Sequence, residues 1–369
     1  MSPFQQEILF AAIVTAVACS LPGVFLVLRR MAMMSDAISH VLLFGIVVSF
    51  MIVRNLHSPL LFVGATLSGV LTVALVELLK RTRLVREDAA IGLVFPMLFS
   101  IGVILTKLKA RNIHLDADSV LLGMLEFAPY AEVHIGGAAM PFWRVVMIPA
   151  LLLNVALITV FYKELKLATF DAALAASLGF MPGLLHYLIM TSVSLTAVTA
   201  FDAVGPVLVV AFMVVPAATA YLLVDRLSLM LVLSAAIAVA GAVVGCWISR
   251  HWEHANTAGM ITVSLGAIFA ATFLLSPRRG LLAVAIRRHR QRNEFLQTML
   301  TVHLLNHEGT AEETEESRLD GLHEHLRWKP QQVERVVRWA KRGGLVEQHG
   351  EQLVLTESGR ARARDLFGG

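Results

Sequence analysis

Asp36 and His40 stand four residues apart in Met34-Ser35-Asp36-Ala37-Ile38-Ser39-His40, at the head of an otherwise apolar segment. On a helix the two side chains share one face, one turn apart. A carboxylate and an imidazole inside a membrane are costly, and chains seldom carry them there without use. Together they offer oxygen and nitrogen ligands suited to a divalent transition metal. A local reading competes with this one. Ser35 or Asp36 would cap the helix, and His40 would bond a neighbouring helix. Spacing alone leaves the two readings level.

Other polar residues invite the same question. Asp202 lies in Thr199-Ala200-Phe201-Asp202-Ala203-Val204-Gly205-Pro206, between two apolar halves. It reads either as a ligand or gate on an ion path, or as a turn former at the water interface. His251-Trp252-Glu253-His254 reads as a metal-gathering vestibule or, more commonly for such residues, an interfacial anchor. His114, Asp116 and Asp118 sit in a long loop and carry the same two readings. The sequence holds no Gly-x-x-x-x-Gly-Lys-Ser/Thr loop, no His-Glu-x-x-His and no Gly-x-Ser-x-Gly elbow. No enzyme active site and no intrinsic cofactor are therefore expected. Energy for any transport must come from a partner, from an ion gradient, or from neither.

The elements that must position these residues are membrane spans. The chain of 369 residues is 57% hydrophobic and only 16% charged, against about 25% charged in soluble domains. Apolar runs fall at about 7–28, 36–53, 59–79, 88–107, 141–162, 185–203, 206–224, 228–249 and 258–275, each near the ~20 residues a bilayer core needs. The first is too long for a signal-peptide core and ends in Arg29-Arg30 without a small-residue cleavage site, so it reads as a retained span. The stretch 185–224 is too long for one span, and Gly205-Pro206 is its natural break. Cys19 and Cys246 both fall in apolar runs and support neither a disulfide framework nor a zinc motif.

Arg29-Arg30, Lys80 to Arg86, Lys163-Lys166 and Arg278-Arg279 follow the first, third, fifth and ninth spans. All four lie on one side if every span is real, and that side should be the cytoplasm. The N-terminus is then outside and the C-terminal tail inside. The expected fold class is an all-α polytopic membrane protein of about 8–9 transmembrane helices, over residues 1–280. Residues 287–369 form a separate small α+β cytoplasmic domain, polar and nearly neutral, with 14 Lys/Arg against 13 Asp/Glu.

Between the fifth and sixth spans, Tyr162 to Gly179 is amphipathic and expected on the cytoplasmic side. Thr169 or Asp171 caps a short alanine-rich helix ending at Gly179. Such a helix on the membrane face reads as a dock for a soluble partner, or as a plain interfacial connector.

Several spaced motifs resemble one family. Ser35-Asp36-Ala37-Ile38-Ser39-His40-Val41-Leu42-Leu43-Phe44-Gly45 is similar to Gly-Asp-Ala-(Ile/Leu)-Ser-His-Ala-Val-Leu-Pro-Gly, with Ser35 and Phe44 differing. Asp88 to Phe95, Lys163 to Gly179 and Val214 to Ala220 follow in the same order. Together they resemble the permease subunits of manganese, zinc and iron ABC importers over most of residues 7–277. The resemblance implies a homodimer or paired permease in the bacterial inner membrane, in contact with lipid. It implies a cytoplasmic ATPase partner and an external binding protein that delivers the metal ion. It maps the ion contact onto Asp36 and His40, with Asp202 where the family usually has Gln or Glu. It maps the ATPase coupling onto Lys163, Glu164, Lys166, Phe170, Asp171 and Gly179.

Residues 290–369 fit a winged helix. Asn293 to Asn306, Ser317 to Leu326 and Gln331 to Arg342 read as helices, the last stopped by Gly343-Gly344. Leu345 to Leu355 reads as two strands about a glycine turn, and Thr356 opens a final helix. The phrasing Gly-Leu-Val-Glu…Leu-Thr-Glu-Ser-Gly-Arg is similar to iron-dependent repressors. Arg335, Arg338, Lys341 and Arg342 offer phosphate contacts. A tethered, nearly neutral domain favours a regulatory or protein-contact role over nucleic acid. His303 and His307, with His323 and His325 near by, read as a metal sensor or as solvated surface histidines.

Three other classes stay in view. A permease for a metal chelate or cobalamin needs a wider, less acidic path than an Asp/His pair suggests. A gradient-driven secondary metal carrier needs no ATPase. A tethered regulator would use its spans only as an anchor.

Overall fold

The computed structural model describes residues 3–54, 60–109, 125–130, 132–135, 138–252, 255–277 and 279–365. The chain divides into two compact units, Met1–Arg279 and Gly280–Gly369.

The first unit is helical. It contains α1 (Pro3–Leu28), α2 (Ala32–Val53), α3 (Leu60–Arg81) and α4 (Glu87–Lys109). A short antiparallel hairpin follows, β1 (Glu132–Ile135) and β2 (Ala138–Pro141), paired Glu132 with Pro141 and Ile135 with Ala138. Then come α5 (Phe142–Val160), the short α6 (Tyr162–Phe170) and α7 (Ala172–Ser177), and α8 (Pro182–Leu223), α9 (Leu227–His251) and α10 (Thr257–Leu275). Nine helical stretches among the described residues are long and apolar enough to cross a membrane, because α8 supplies two of them. The hairpin left no signal in the sequence reading, which treated that region as loop.

Helix α1 is the hub, with 72% of its apolar stretch buried against 22% for α10. It packs on α8, α9 and α5. Close approach is bought with small residues, as expected where lipid supplies no hydrophobic drive between helices. A Cβ on Gly23 would lie 1.9 Å from the Met213 carbonyl oxygen, so α1 meets α8 backbone to backbone. Polar glue completes the hub. The Asn154 amide of α5 donates to the Ala18 carbonyl at 3.0 Å and to Thr196 Oγ1 at 2.8 Å. Ser192 donates in turn to the Asn154 side-chain oxygen. One buried amide thereby joins α1, α5 and α8.

The long α8 is two limbs. Gly205 leaves the helix at φ 76°, ψ 164°, a region essentially reserved for glycine. Pro206 follows, and a residue before proline is already pushed out of the α region. A straight helix would separate His186 from Met213 by about 40 Å at 1.5 Å per residue. Yet Arg29, just past the end of α1, bonds His186, and Gly23, six residues earlier, abuts Met213. The chain therefore folds back at Gly205.

The start of α2 differs from the sequence reading. The helix begins at Ala32, with Met31 as its N-cap and no side-chain cap bond. Arg30 at φ 61° and the Met31 amide bonded to the Leu26 carbonyl at 2.8 Å turn the chain tightly out of α1. Ser35 and Asp36 thus lie inside the helix, and the capping reading falls away.

The second unit contains α11 (Leu281–His307), α12 (Glu313–Glu316), α13 (Leu322–His325), α14 (Pro330–Arg342), β3 (Val346–His349), β4 (Gln352–Leu355) and α15 (Glu357–Arg364). Its core is Leu300 and Leu304 of α11, Val336 and Ala340 of α14, and Leu353 and Leu355 of β4. β3 and β4 pair antiparallel about Gly350, which holds φ 67°. Thr356 caps α15 by accepting from the Gly359 amide at 3.1 Å. The expected continuous helix from Ser317 to Leu326 is absent. Arg318 bridges to Gln352 instead, and Gly321, a poor helix former, precedes only the short α13.

Gly205→Ala tests the fold-back. It should destabilise the detergent-solubilised chain by about 1–3 kcal/mol, read as a lower thermal or denaturant midpoint. An unchanged midpoint would contradict the assigned backbone.

Candidate functional site

On α2, Asp36 and His40 do share a face. His40 Nε2 lies 3.4 Å from Asp36 Oδ1, with the two side chains 32% and 49% exposed. Two ligand atoms about 2.0–2.1 Å from one tetrahedral ion sit roughly 3.3–3.4 Å apart, so the pair already has a usable bite. Its backing is fixed by packing. Ser35, one residue before Asp36, is buried and donates to Met213 Sδ at 3.1 Å. Ser39, one residue before His40, donates back to the Ser35 carbonyl at 2.9 Å. The His40 ring packs on Phe95 and Phe99 of α4, with centroids 5.7 and 6.1 Å away. Those two phenylalanines were not foreseen as neighbours, although Phe95 closes the Asp88–Phe95 motif.

Asp202 is not adjacent to this pair along α8. Its backbone lies just before the fold-back, and its side chain is outside the described residues. Met213, against which Ser35 packs, is eight residues beyond Gly205, roughly 12 Å along the second limb. His114, Asp116, Asp118, Glu253 and His254 also lie outside the described residues. His251 bonds the Trp247 carbonyl at 2.8 Å and packs on the Trp247 ring. This local bonding suits the anchor reading.

The second feature is the α6–α7 segment. Asp171 caps α7, its Oδ1 accepting from the Leu174 amide at 2.9 Å. Gly179 ends the segment at φ 87°. Leu165, Ala168 and Ala175 face inward, while Lys163, Lys166, Asp171 and Gly179 are exposed. So are the apolar side chains of Phe170 at 61%, Leu174 at 46% and Leu178 at 61%. Exposed apolar groups thus cluster on one short segment, just after Lys163 and Lys166. Glu164 lies half-buried on the same helix, with one carboxylate oxygen lacking a hydrogen-bond partner among the described residues.

Arg29 ties this segment to the helices, a role the sequence reading missed. Its guanidinium donates to Thr169 Oγ1 at 3.3 and 3.4 Å and to His186 Nδ1 at 3.2 Å. An arginine can only donate, so His186 Nδ1 accepts and carries no proton there. Burial lowers the Arg29 pKa from its ordinary value, but a guanidinium remains charged in any case. The sequence showed Arg29 only as one of the positive charges after the first span. Its partners are 140 and 157 residues away, beyond the reach of any local pattern.

Residues 1–276 match the model of the ABC 3 transport family. The chain is 43% identical over 359 residues to the zinc transport system membrane protein TroD of Treponema pallidum (strain Nichols), covering 97% of this chain and 98% of that one. Because 359 aligned residues exceed the length of the first unit, this likeness runs on into the second. It is also 43% identical over 287 residues to the manganese transport system membrane protein MntD of Bacillus subtilis (strain 168), covering 77% of this chain and 96% of that one. Among solved structures it is similar to PsaBC from Streptococcus pneumoniae in complex with Fab. There the TM-score is 0.63 and the identity 28%, over 77% of this chain and 95% of that one.

Removing the Arg29 side chain should loosen the α6–α7 segment by about 1.5–3 kcal/mol, the range for bonds to a charged donor. Faster amide exchange across residues 162–177 in Arg29→Ala is the readout. Arg29→Lys should restore it only in part, since an ammonium lacks the fork that spans Thr169 and His186. Exchange equal to wild type in both variants would remove Arg29 from this role.

Proposed function

The chain belongs to the ABC 3 transport family, and on that premise we propose that it is the transmembrane permease subunit of an ATP-driven importer of a divalent transition metal. The observation that carries the ion contact is the Asp36/His40 pair. It is a nitrogen and an oxygen ligand 3.4 Å apart on a membrane-spanning helix, both half open. The relatives' names specify zinc and manganese. An Asp/His pair takes either, and iron as well, so the pair by itself sets no order among them.

Two ligands hold an ion weakly. A second copy of this chain, or a paired permease, brings a second pair across a two-fold axis and completes four N/O ligands. Such a site releases its ion when the two halves part, as alternating access requires. Asp202, at the fold-back, is a second contact or gate along the same path.

The chain is not itself an ATPase, and hydrolysis falls to a partner subunit. The α6–α7 segment receives that partner, its exposed Phe170, Leu174 and Leu178 supplying the apolar contact and Lys163 and Lys166 the charge before them. Arg29 and the Asp171 cap make the segment stiff enough to pass on a displacement. An extracytoplasmic metal-binding protein delivers the ion to the opposite face. The chain sits in a bacterial cytoplasmic membrane, with its N-terminus outside and the second unit in the cytoplasm. That unit reads as a winged helix. α11 and α14 pack under the β3–β4 wing, while Arg335, Arg338, Lys341 and Arg342 stay exposed. Its role is regulatory or protein contact rather than nucleic-acid binding.

The test is uptake of zinc and manganese in cells supplied with the cognate ATPase and binding protein. His40→Ala and Asp36→Ala should each lower uptake roughly tenfold or more, since even an outer-shell contact to a metal is worth 10–100-fold. Immunodetection in the membrane fraction controls for expression. Unchanged uptake at equal protein level would defeat the assignment of the pair.

A further inference from the structure

The second unit holds a cluster of metal-ligating side chains that the transport reading does not use. His303 and His307 are one turn apart on α11, their ring centroids 5.0 Å apart. Glu316, the last residue of α12, reaches the same point. Its Oε2 is 3.3 Å from His303 Nε2. One ligand atom from each of His303, His307 and Glu316 falls within 4.8 Å of the others. Two further groups lie beside the set. His325 Nδ1 is 2.8 Å from the other Glu316 oxygen, and Glu312 Oε2 is 3.8 Å from His307 Nδ1.

The centre of the cluster is not a solvated patch. The His303 and Glu316 side chains are only 12% and 15% exposed. Glu316 Oε2 is buried without a hydrogen-bond partner among the described residues. The 3.3 Å approach of His303 Nε2 is proximity rather than a bond, because that nitrogen lies 3.2 Å from the Glu316 main-chain oxygen, which can only accept. A buried carboxylate oxygen left without a donor is expensive. Burial foremost lowers the His303 pKa, which favours the neutral ring that a metal needs.

We propose that His303, His307 and Glu316 bind a divalent transition metal, with His325 orienting Glu316. Two imidazoles and a carboxylate suit borderline cations, zinc ahead of manganese. The 3.3 Å between His303 Nε2 and Glu316 Oε2 already matches the roughly 3.3 Å between ligands on a tetrahedral zinc. Binding at Nε2 moves the ring proton to Nδ1 and gives Glu316 Oε2 the partner it lacks. His325, 2.8 Å from Glu316, supplies the outer-shell contact that orients a ligating carboxylate. The ion would pin α12 to α11 and close the 308–312 connection between them. The site stands apart from the transport reading and survives if that reading fails.

The test uses the full-length chain in detergent, stripped with chelator and carrying Asp36→Ala and His40→Ala, so that the α2 pair contributes nothing. Equilibrium dialysis against zinc should find about one ion per chain. Adding His303→Ala and His307→Ala should weaken that binding by roughly 100-fold or more, with cobalt absorption in the visible range lost in parallel. Should the double histidine variant lose its helical circular dichroism, Glu316→Gln serves in its place and should weaken zinc at least tenfold. No zinc bound at micromolar concentration by the parent, or affinity unchanged in the folded variants, would overturn the site.

Discussion

One backbone conformation underlies the membrane unit. Gly205, at φ 76° and ψ 164° with Pro206 behind it, turns a 42-residue helical run into two limbs. The turn sets the Met213 backbone against Gly23 of α1 and the Met213 sulfur over Ser35 of α2. It leaves His186, at the start of the first limb, beside Arg29. The helix that carries the Asp/His pair and the segment proposed to meet the partner are both registered against this one folded-back element. A side chain larger than hydrogen at position 205 would strain both registrations together.

Around that frame two kinds of polar group in the membrane unit contrast. Asn154, Ser192, Thr196 and Ser39 are buried and bonded to neighbouring helices or to their own turn. They hold structure, as polar groups in hydrocarbon generally do. Asp36 and His40 differ: they pair loosely with each other and stay half open. Such a pair is poorly stabilised by the fold and well placed to be stabilised by an ion. On the proposed role, that tension is what a transit contact needs, because a deeply satisfied site would not release its occupant.

Much of this was legible in the sequence. Apolar length located the spans, and the Gly205-Pro206 dipeptide marked the break in α8. The four-residue spacing placed Asp36 and His40 on one face. Asp171 and Gly179 announced the ends of α7 through cap chemistry that is local by nature. What was not legible involves partners far apart in the chain. Nothing near Arg29 names Thr169 or His186, and nothing near Asn154 names Ala18. The start of α2 was misjudged because polar Ser35 and Asp36 resemble a cap, whereas the turn at Arg30 and Met31 lets the helix begin earlier. In the second unit, helical composition over Ser317–Leu326 gave way to a bridge between Arg318 and Gln352, a pairing set by the distant hairpin.

The Arg29 fork has a thermodynamic corollary. One guanidinium holds the residue after α1, the end of α6 and the first limb of α8 in one arrangement. If a partner that grips the α6–α7 segment favours one setting of those helices, the coupling runs equally in reverse. Whatever shifts α1 and α8 must change that partner's affinity by the same factor. Cargo occupancy and partner grip then become two readings of a single free energy, and measuring either one calibrates the other.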